Sequence, residues 1–282
     1  MAQPKGQTVT PFTSNTGSQG VVTQLSNLIK TGPLIAVLVI AILLTIWEII
    51  TRLGIFPALI LPSPVAVFHQ TITLLTAGYG GKTLLQDVLI SSWRIAMGFI
   101  GAVVIGVPVG LLMASSSLVF KAIDPILQFV RPVPPLAYIP LMVVWFGIGE
   151  LSKITVILLG TIPIIIINAV SGVRSIPHQR IQVAECFGAS RYQVFRYVVL
   201  PSALPEIFTG MRVGIGVAWT CLVAAEIIAA TEGLGWLVQE AGQALNVSII
   251  FVGIVAIGIL GYLMELIIRA IERVVVPWKG NG

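Results

Sequence analysis

Long apolar runs, separated by short polar breaks, follow a polar start. Residues 1–30 are rich in Gln, Thr, Ser and Gly and carry no apolar period, which predicts a disordered tail. From residue 31 to residue 282 the pattern predicts one membrane domain. Its spans cover about 34–50, 88–113, 126–146, 154–173, 208–230 and 248–268. Each is near the roughly 20 residues that a helix needs to cross a bilayer core. Between the first two spans, "ILPSPVAVF" predicts a turn and then a short helix, with Ser63 as cap and Pro64 at its first position. The Gly-rich stretch "AGYGGK" predicts a second turn. One larger polar insert, at about 174–206, separates the fourth span from the fifth. The fold class expected is an all-α integral membrane protein with about six transmembrane helices and no internal repeat.

Composition supports this reading. Of the 282 residues, 56% are hydrophobic and only 10% are charged, against about a quarter charged in a soluble domain. The net charge of +5 would suggest nucleic acid in a soluble protein. Here the basic residues flank the spans, so nucleic acid is excluded as a partner. Lys5 and Lys30 precede the first span, and Arg174, Arg180, Arg191 and Arg196 lie in the insert. Arg269, Arg273 and Lys279 end the chain. The loop "TEGLGWLVQEAGQALN" carries Glu232 and Glu240 and no lysine or arginine. The positive-inside tendency then places both termini and the insert on the cytoplasmic side, and Lys82, Glu150 and Lys153 outside. Arg52 is out of place in this scheme and is expected to snorkel.

Several chemistries are absent. Cys186, Cys221, His69 and His178 show no metal-ligand spacing, and the two thiols read as small buried residues. "GGKT" at 80–83 lacks the earlier glycine of a phosphate loop, since Thr76 stands there. No nucleophile elbow or paired-carboxylate motif appears. The chain is therefore expected to be no enzyme and to bind no metal or cofactor of its own.

Ionisable residues inside spans mark a pathway or a partner. Arg94, Arg131 and Glu226 qualify. Arg131 opens "RPVPPLAYIP", where Pro132, Pro134, Pro135 and Pro140 break any helix. Irregular backbone at membrane depth is tolerated where it is buried or lines a polar cavity. The alternative is a surface loop before a shorter span. Glu226 either balances a positive group on the path or pairs with an arginine to fix packing, and Arg94 either acts or snorkels.

The insert "AECFGASRYQVFRYVVLP" predicts two short amphipathic helices. Ser190 caps the second, with Gln193 completing a capping box. Tyr192, Phe195 and Val199 share one face, and Pro201 ends the helix. Gly188 supplies the positive φ that the intervening turn demands. Such a pair serves equally as an interfacial anchor or as a docking knob for a partner.

The stretch "VAECFGASRYQVFRYVVLPSALPEIFTGMRVGIGVAW" resembles the cytoplasmic signature loop of ABC-importer permeases. Glu185 and Gly188 match its acidic residue and glycine, whereas Cys186 and Phe187 replace its two alanines. "RPVPPLAYIPLMVVWFGIGELSKI" and "LVAAEIIAATEGLGWLVQEAG" resemble the nitrate/sulfonate/taurine branch, and "GVPVGLLMASS", "AATEGLGWLVQ" and "RVVVPWKG" its taurine permeases. The likeness covers nearly everything after Pro62. It implies a type I importer permease in the bacterial inner membrane. The expected partners are a second copy of the chain, two ABC ATPase subunits that hold ATP and Mg2+, a periplasmic substrate-binding protein, and the bilayer. It also implies that a helix of the insert is the coupling helix, and that Ala184, Glu185, Cys186, Phe187, Gly188, Ala189, Ser190, Arg191 and Tyr192 couple to the ATPase. A small sulfonate such as taurine is the expected cargo, with another alkanesulfonate, nitrate or bicarbonate as alternatives and an ATP-independent channel further off. Arg131, Pro132, Pro134, Pro135 and Glu226 are the residues expected along its path.

Overall fold

A computed structural model describes residues 17–57 and 59–278, with side chains from residue 35 onward. The chain divides after Pro64 into two units. The first holds α1 (Gly17–Arg52), which starts within the stretch predicted as a tail. Residues 1–16 of that tail lie outside the described residues. Most α1 side chains from Ile35 to Ile49 are apolar and exposed, as a lipid-facing helix requires. Arg52 does not depend on snorkelling alone, because its Nε donates to Glu48 Oε1 at 2.7 Å across one helical turn.

Among the described residues, the regular structure of the second unit is helical, apart from one isolated bridge between Tyr79 and Lys82. After α2 (Pro64–Thr76), which begins at the predicted proline, Tyr79 and Lys82 exchange two backbone hydrogen bonds. Gly80 and Gly81 between them both have positive φ, the geometry of a tight type I′ turn. Thr83 then caps α3 (Leu84–Ser115), with Gln86 closing a capping box. The "GGKT" stretch is thus a turn and a helix start.

Next come α4 (Ser117–Val130), a short 3-10 turn at Pro135–Tyr138, α5 (Ile139–Phe146) and α6 (Glu150–Arg174). The insert forms α7 (His178–Cys186) and α8 (Arg191–Val194). A π turn at Phe195–Val199 leads into α9 (Leu200–Ala229), and α10 (Leu234–Gln243) and α11 (Val247–Val275) complete the chain.

α6 packs between α3 and α9. Small residues permit the close approach. Gly98, Ala102, Gly106 and Gly110 recur every four residues along α3 and are all buried. A Cβ placed on Gly110 would meet the Ile166 carbonyl oxygen at 2.9 Å. At such distances the two backbones are in near contact, the arrangement that membrane helices use in place of a hydrophobic driving force.

Among the described residues, five helices are long and apolar enough to cross a bilayer, and a sixth crossing needs the bent pair α4 and α5. The structure corrects two expectations. The third span is no single helix: its halves meet at 90°, with Arg131 at the break and Pro134 extended. Nor does Pro201 end the second helix of the insert. A continuous helical stretch runs from Arg191 to Ala229. Within it, the Leu200 N–H reaches back five residues to the Phe195 carbonyl. This widened turn shifts the ladder before Pro201, whose missing N–H then falls in the first turn of α9, where proline is tolerated.

Candidate functional site

Three polar features stand out from the apolar bundle. The deepest is centred on Arg94. Asp87, Ser91 and Arg94 sit at i, i+4 and i+7 on α3 and so share one face. Arg94 is 0% exposed, and so is Glu226 near the end of α9. Arg94 Nη1 donates to Glu226 Oε1 and to the Glu232 carbonyl, both at 2.8 Å. Its Nε and Nη2 grip both oxygens of Glu150 at 2.6 and 2.7 Å, the bidentate form that arginine favours. Lys153 adds a second cation on Glu150 at 3.1 Å. Lys82 pairs with Glu232.

The same face captures the start of α10. Gly233, Leu234 and Gly235 donate their backbone N–H groups to Asp87 Oδ1, Ser91 Oγ and Glu226 Oε2, at 2.8, 2.9 and 2.8 Å. Ser91 in turn donates to Glu226 Oε1 at 2.7 Å. The first N–H groups of a helix have no partners of their own, and here side chains from two other helices supply them. The network therefore ties the first turns of α3 and α6 to the last turn of α9 and to α10. Arg94 does not snorkel. Of the two readings of Glu226, the structure shows the pairing with an arginine inside the fold: the partner is Arg94, because both groups lie on facing surfaces of α3 and α9.

The second feature is the break at Arg131. The Arg131 side chain is exposed on the isolated chain and forms no hydrogen bond or ion pair among the described residues. It borders two cavities. One, of 330 Å³, is lined by Tyr138 and Pro135 from the break, Pro163 and Asn168 from α6, and Val213 and Val217 from α9. The other, of 540 Å³, brings Arg131 together with Asp124, Gln128, Ser171 and Arg174. Arg174 is partly committed, with its guanidinium 3.9 Å above the Phe120 ring. Pro132 and Pro134 are exposed beside Arg131 and line neither cavity, whereas Pro135 lines the smaller one. Glu226 borders neither.

The third feature is the insert. Gly188 has φ +81°. Its N–H donates to the Glu185 carbonyl at 2.8 Å and that of Ala189 to the Ala184 carbonyl at 3.1 Å, the paired bonds of a Schellman turn. Ser190 accepts from the Gln193 N–H, and Gln193 Oε1 accepts from the Ser190 N–H at 2.8 Å. Turn and cap thus follow the sequence reading. The shared face does not: Tyr192 is 73% exposed, while Val194 and Val199 are buried and face inward. Phe187 is 89% exposed and Val183 is exposed with it. Glu185, Cys186, Gly188, Ser190 and Arg191 are exposed as well, with Ala184 and Ala189 half-buried. Apolar side chains so placed on a polar insert form a surface suited to a partner.

A family model described as "Binding-protein-dependent transport system inner membrane component" matches residues 106–277. The chain is 46% identical over 243 residues to the taurine transport system permease protein TauC of Escherichia coli (strain K12), covering 86% of this chain and 88% of that one. It is 36% identical over 243 residues to the nitrate import permease protein NrtB of Synechocystis sp., with 84% and 87% covered. It is 34% identical over 241 residues to the putative aliphatic sulfonates transport permease protein SsuC of Bacillus subtilis (strain 168), with 86% of each covered. A chain of the inward-facing MetNI methionine ABC transporter shares the fold, at a TM-score of 0.60 and 24% identity, covering 68% of this chain and 95% of that one.

Proposed function

Because the chain belongs to the family of binding-protein-dependent transport system inner membrane components, the permeases of ABC importers, we propose that it carries a small sulfonate such as taurine across the inner membrane. It is a multi-pass membrane protein and a transport subunit rather than an enzyme, and ATP hydrolysis belongs to a separate subunit. The observation that carries the cargo assignment is the 46% identity to a taurine permease, sustained over 86% of the chain.

In this reading two copies enclose the path and two ATPase subunits, holding ATP and Mg2+, sit beneath the insert. A substrate-binding protein delivers cargo at the Arg94 end of the bundle. Both termini lie on the cytoplasmic side. Residues 184–192, the end of α7, its turn and the start of α8, form the coupling contact, with Phe187 and Tyr192 as its exposed apolar side chains. Closure of the ATPase pair would move the insert, and the unbroken helix from Arg191 to Ala229 would carry that motion into the bundle as a rigid lever. Arg131 would meet the sulfonate, whose oxygens match the planar guanidinium fork.

Transport assays in proteoliposomes test this. The chain, reconstituted with its ATPase and binding protein, should take up labelled taurine only when ATP is present. Uptake without ATP or ATPase would overturn the importer reading. Uptake of nitrate or a longer alkanesulfonate in preference to taurine would overturn the cargo alone.

Gly188→Val tests the coupling turn. A β-branched residue at φ +81° carries strain of about 1–3 kcal/mol, although no atom lies within 4 Å of the added Cβ. The variant should insert and assemble normally, keep hydrolysing ATP, and lose about tenfold or more in transport. A wild-type transport rate would sink the role given to this turn.

A further inference from the structure

α9 and α11 enclose a cleft of 430 Å³ at the end of the bundle opposite the Arg94 network, lined by Arg212, Arg269, Glu272, Arg273, Val276 and Pro277. Arg212 Nη1 lies 3.6 Å from Oε2 of the buried Glu272, and its Nη2 donates to Thr209 Oγ1 at 3.2 Å. Arg269 donates from Nε and Nη2 to Glu265 Oε1 at 3.1 and 2.6 Å. The Arg273 side chain forms no hydrogen bond or ion pair among the described residues. Three guanidiniums thus line the cleft with one carboxylate, that of Glu272, and Glu265 meets Arg269 from outside the lining, so among the described residues the cluster is one negative charge short of neutral. Cationic groups near a membrane boundary gather anions, and guanidinium forks suit phosphate oxygens.

The depth of the cleft narrows the choice of anion. A helix rises about 1.5 Å per residue. Counted from Ala229, Arg212 lies about 25 Å along α9, and counted from Val247, Arg269 and Arg273 lie about 33 and 39 Å along α11. The hydrocarbon core is about 30 Å thick and the whole bilayer about 40–45 Å. The guanidiniums therefore fall at the edge of the core and in the headgroup layer. The turns that carry them expose Ile267, Ile271 and Val274, and Trp278 follows. These are side chains for acyl tails and for the membrane interface, and they favour a lipid over a water-soluble partner.

We infer that this cleft binds the phosphodiester of an anionic membrane lipid, whose single negative charge completes the cluster. Arg273 supplies the free fork, Arg269 and Arg212 flank it, and Glu272 holds Arg212 in place.

The test uses the full chain purified with its ATPase from membranes of mixed phosphatidylglycerol and phosphatidylethanolamine. Native mass spectrometry then reads the lipid retained. Wild-type protein should retain phosphatidylglycerol preferentially. Arg273→Gln should lower that preference about fivefold, the effect of one arginine at a membrane surface. Arg273→Lys should keep most of it, and Arg52→Gln all of it. Equal retention by wild type and Arg273→Gln overturns the proposal. So does displacement of the lipid by millimolar inorganic phosphate, which would mark a free-phosphate site. Loss of the ATPase from Arg273→Gln with lipid retention unchanged would instead make the cleft a protein contact and overturn it as well.

Discussion

Glu226→Ala is expected to lower the stability of the detergent-solubilised chain by about 3–5 kcal/mol, the usual effect of removing one partner from a buried ion pair. The carboxylate accepts from Arg94, Ser91 and Gly235, so alanine leaves three buried donors facing nothing. A buried donor without a partner costs about 1–3 kcal/mol. Arg94 retains Glu150 and the Glu232 carbonyl, which holds the total below the simple sum. Glu226→Gln should be milder. Its amide oxygen can still accept from Arg94 and Ser91, but its NH2 then meets the Gly235 N–H. The double variant Arg94→Leu, Glu226→Leu should lose less than the two single changes together, since contacting residues are not additive. Thermal unfolding of the wild type, the two Glu226 variants, the double variant and its two single leucine changes checks the ordering. An alanine variant as stable as wild type would mean that the network does not hold the ends of α3, α6 and α9 together.

The sequence exposed some of these features and concealed others, for physical reasons. Gly188, Ser190 and Gln193 were legible because turn and cap chemistry is local: a positive φ and a capping box need only the residues that form them. The break at Arg131 was legible as irregular backbone, since proline acts on its own neighbours. That it would fold into a 90° corner was not, because the angle depends on what α4 and α5 pack against. The continuation of the helix through Pro201 was missed because a widened turn five residues earlier removes the usual penalty. The Arg94 network was only half visible. Glu226 pointed to an arginine, and Asp87, Ser91 and Arg94 at i, i+4 and i+7 carried the signal for a polar face on α3. Which arginine met Glu226 is a long-range fact, set by the register of α3 against α9. α10 was hidden in a loop because ten residues with glycines near its start give little helical period, and its first turn is held by distant side chains.

Arg131→Ala should reduce taurine uptake by about 10–100-fold while leaving insertion, assembly with the ATPase and basal ATP hydrolysis intact. The magnitude follows from losing charged hydrogen bonds of about 1.5–3 kcal/mol between guanidinium and an anionic oxygen. Assembly should survive because the Arg131 side chain forms no hydrogen bond or ion pair among the described residues, in contrast to Arg94. Its position at the corner between α4 and the 3-10 turn adds a second consideration. Helical residues before it and prolines after it hold the backbone, so the side chain borders the 330 Å³ cavity with Tyr138 and Asn168 whatever its own charge. Arg131→Lys separates charge from geometry: lysine keeps the charge but not the planar fork, so its uptake should fall between wild type and alanine. If a point charge alone suffices, lysine will match wild type and the fork is irrelevant. If alanine transports taurine at the wild-type rate and half-saturation, Arg131 is not on the path, and the positive group that meets the sulfonate must be sought elsewhere, beginning with Arg174 in the adjoining cavity.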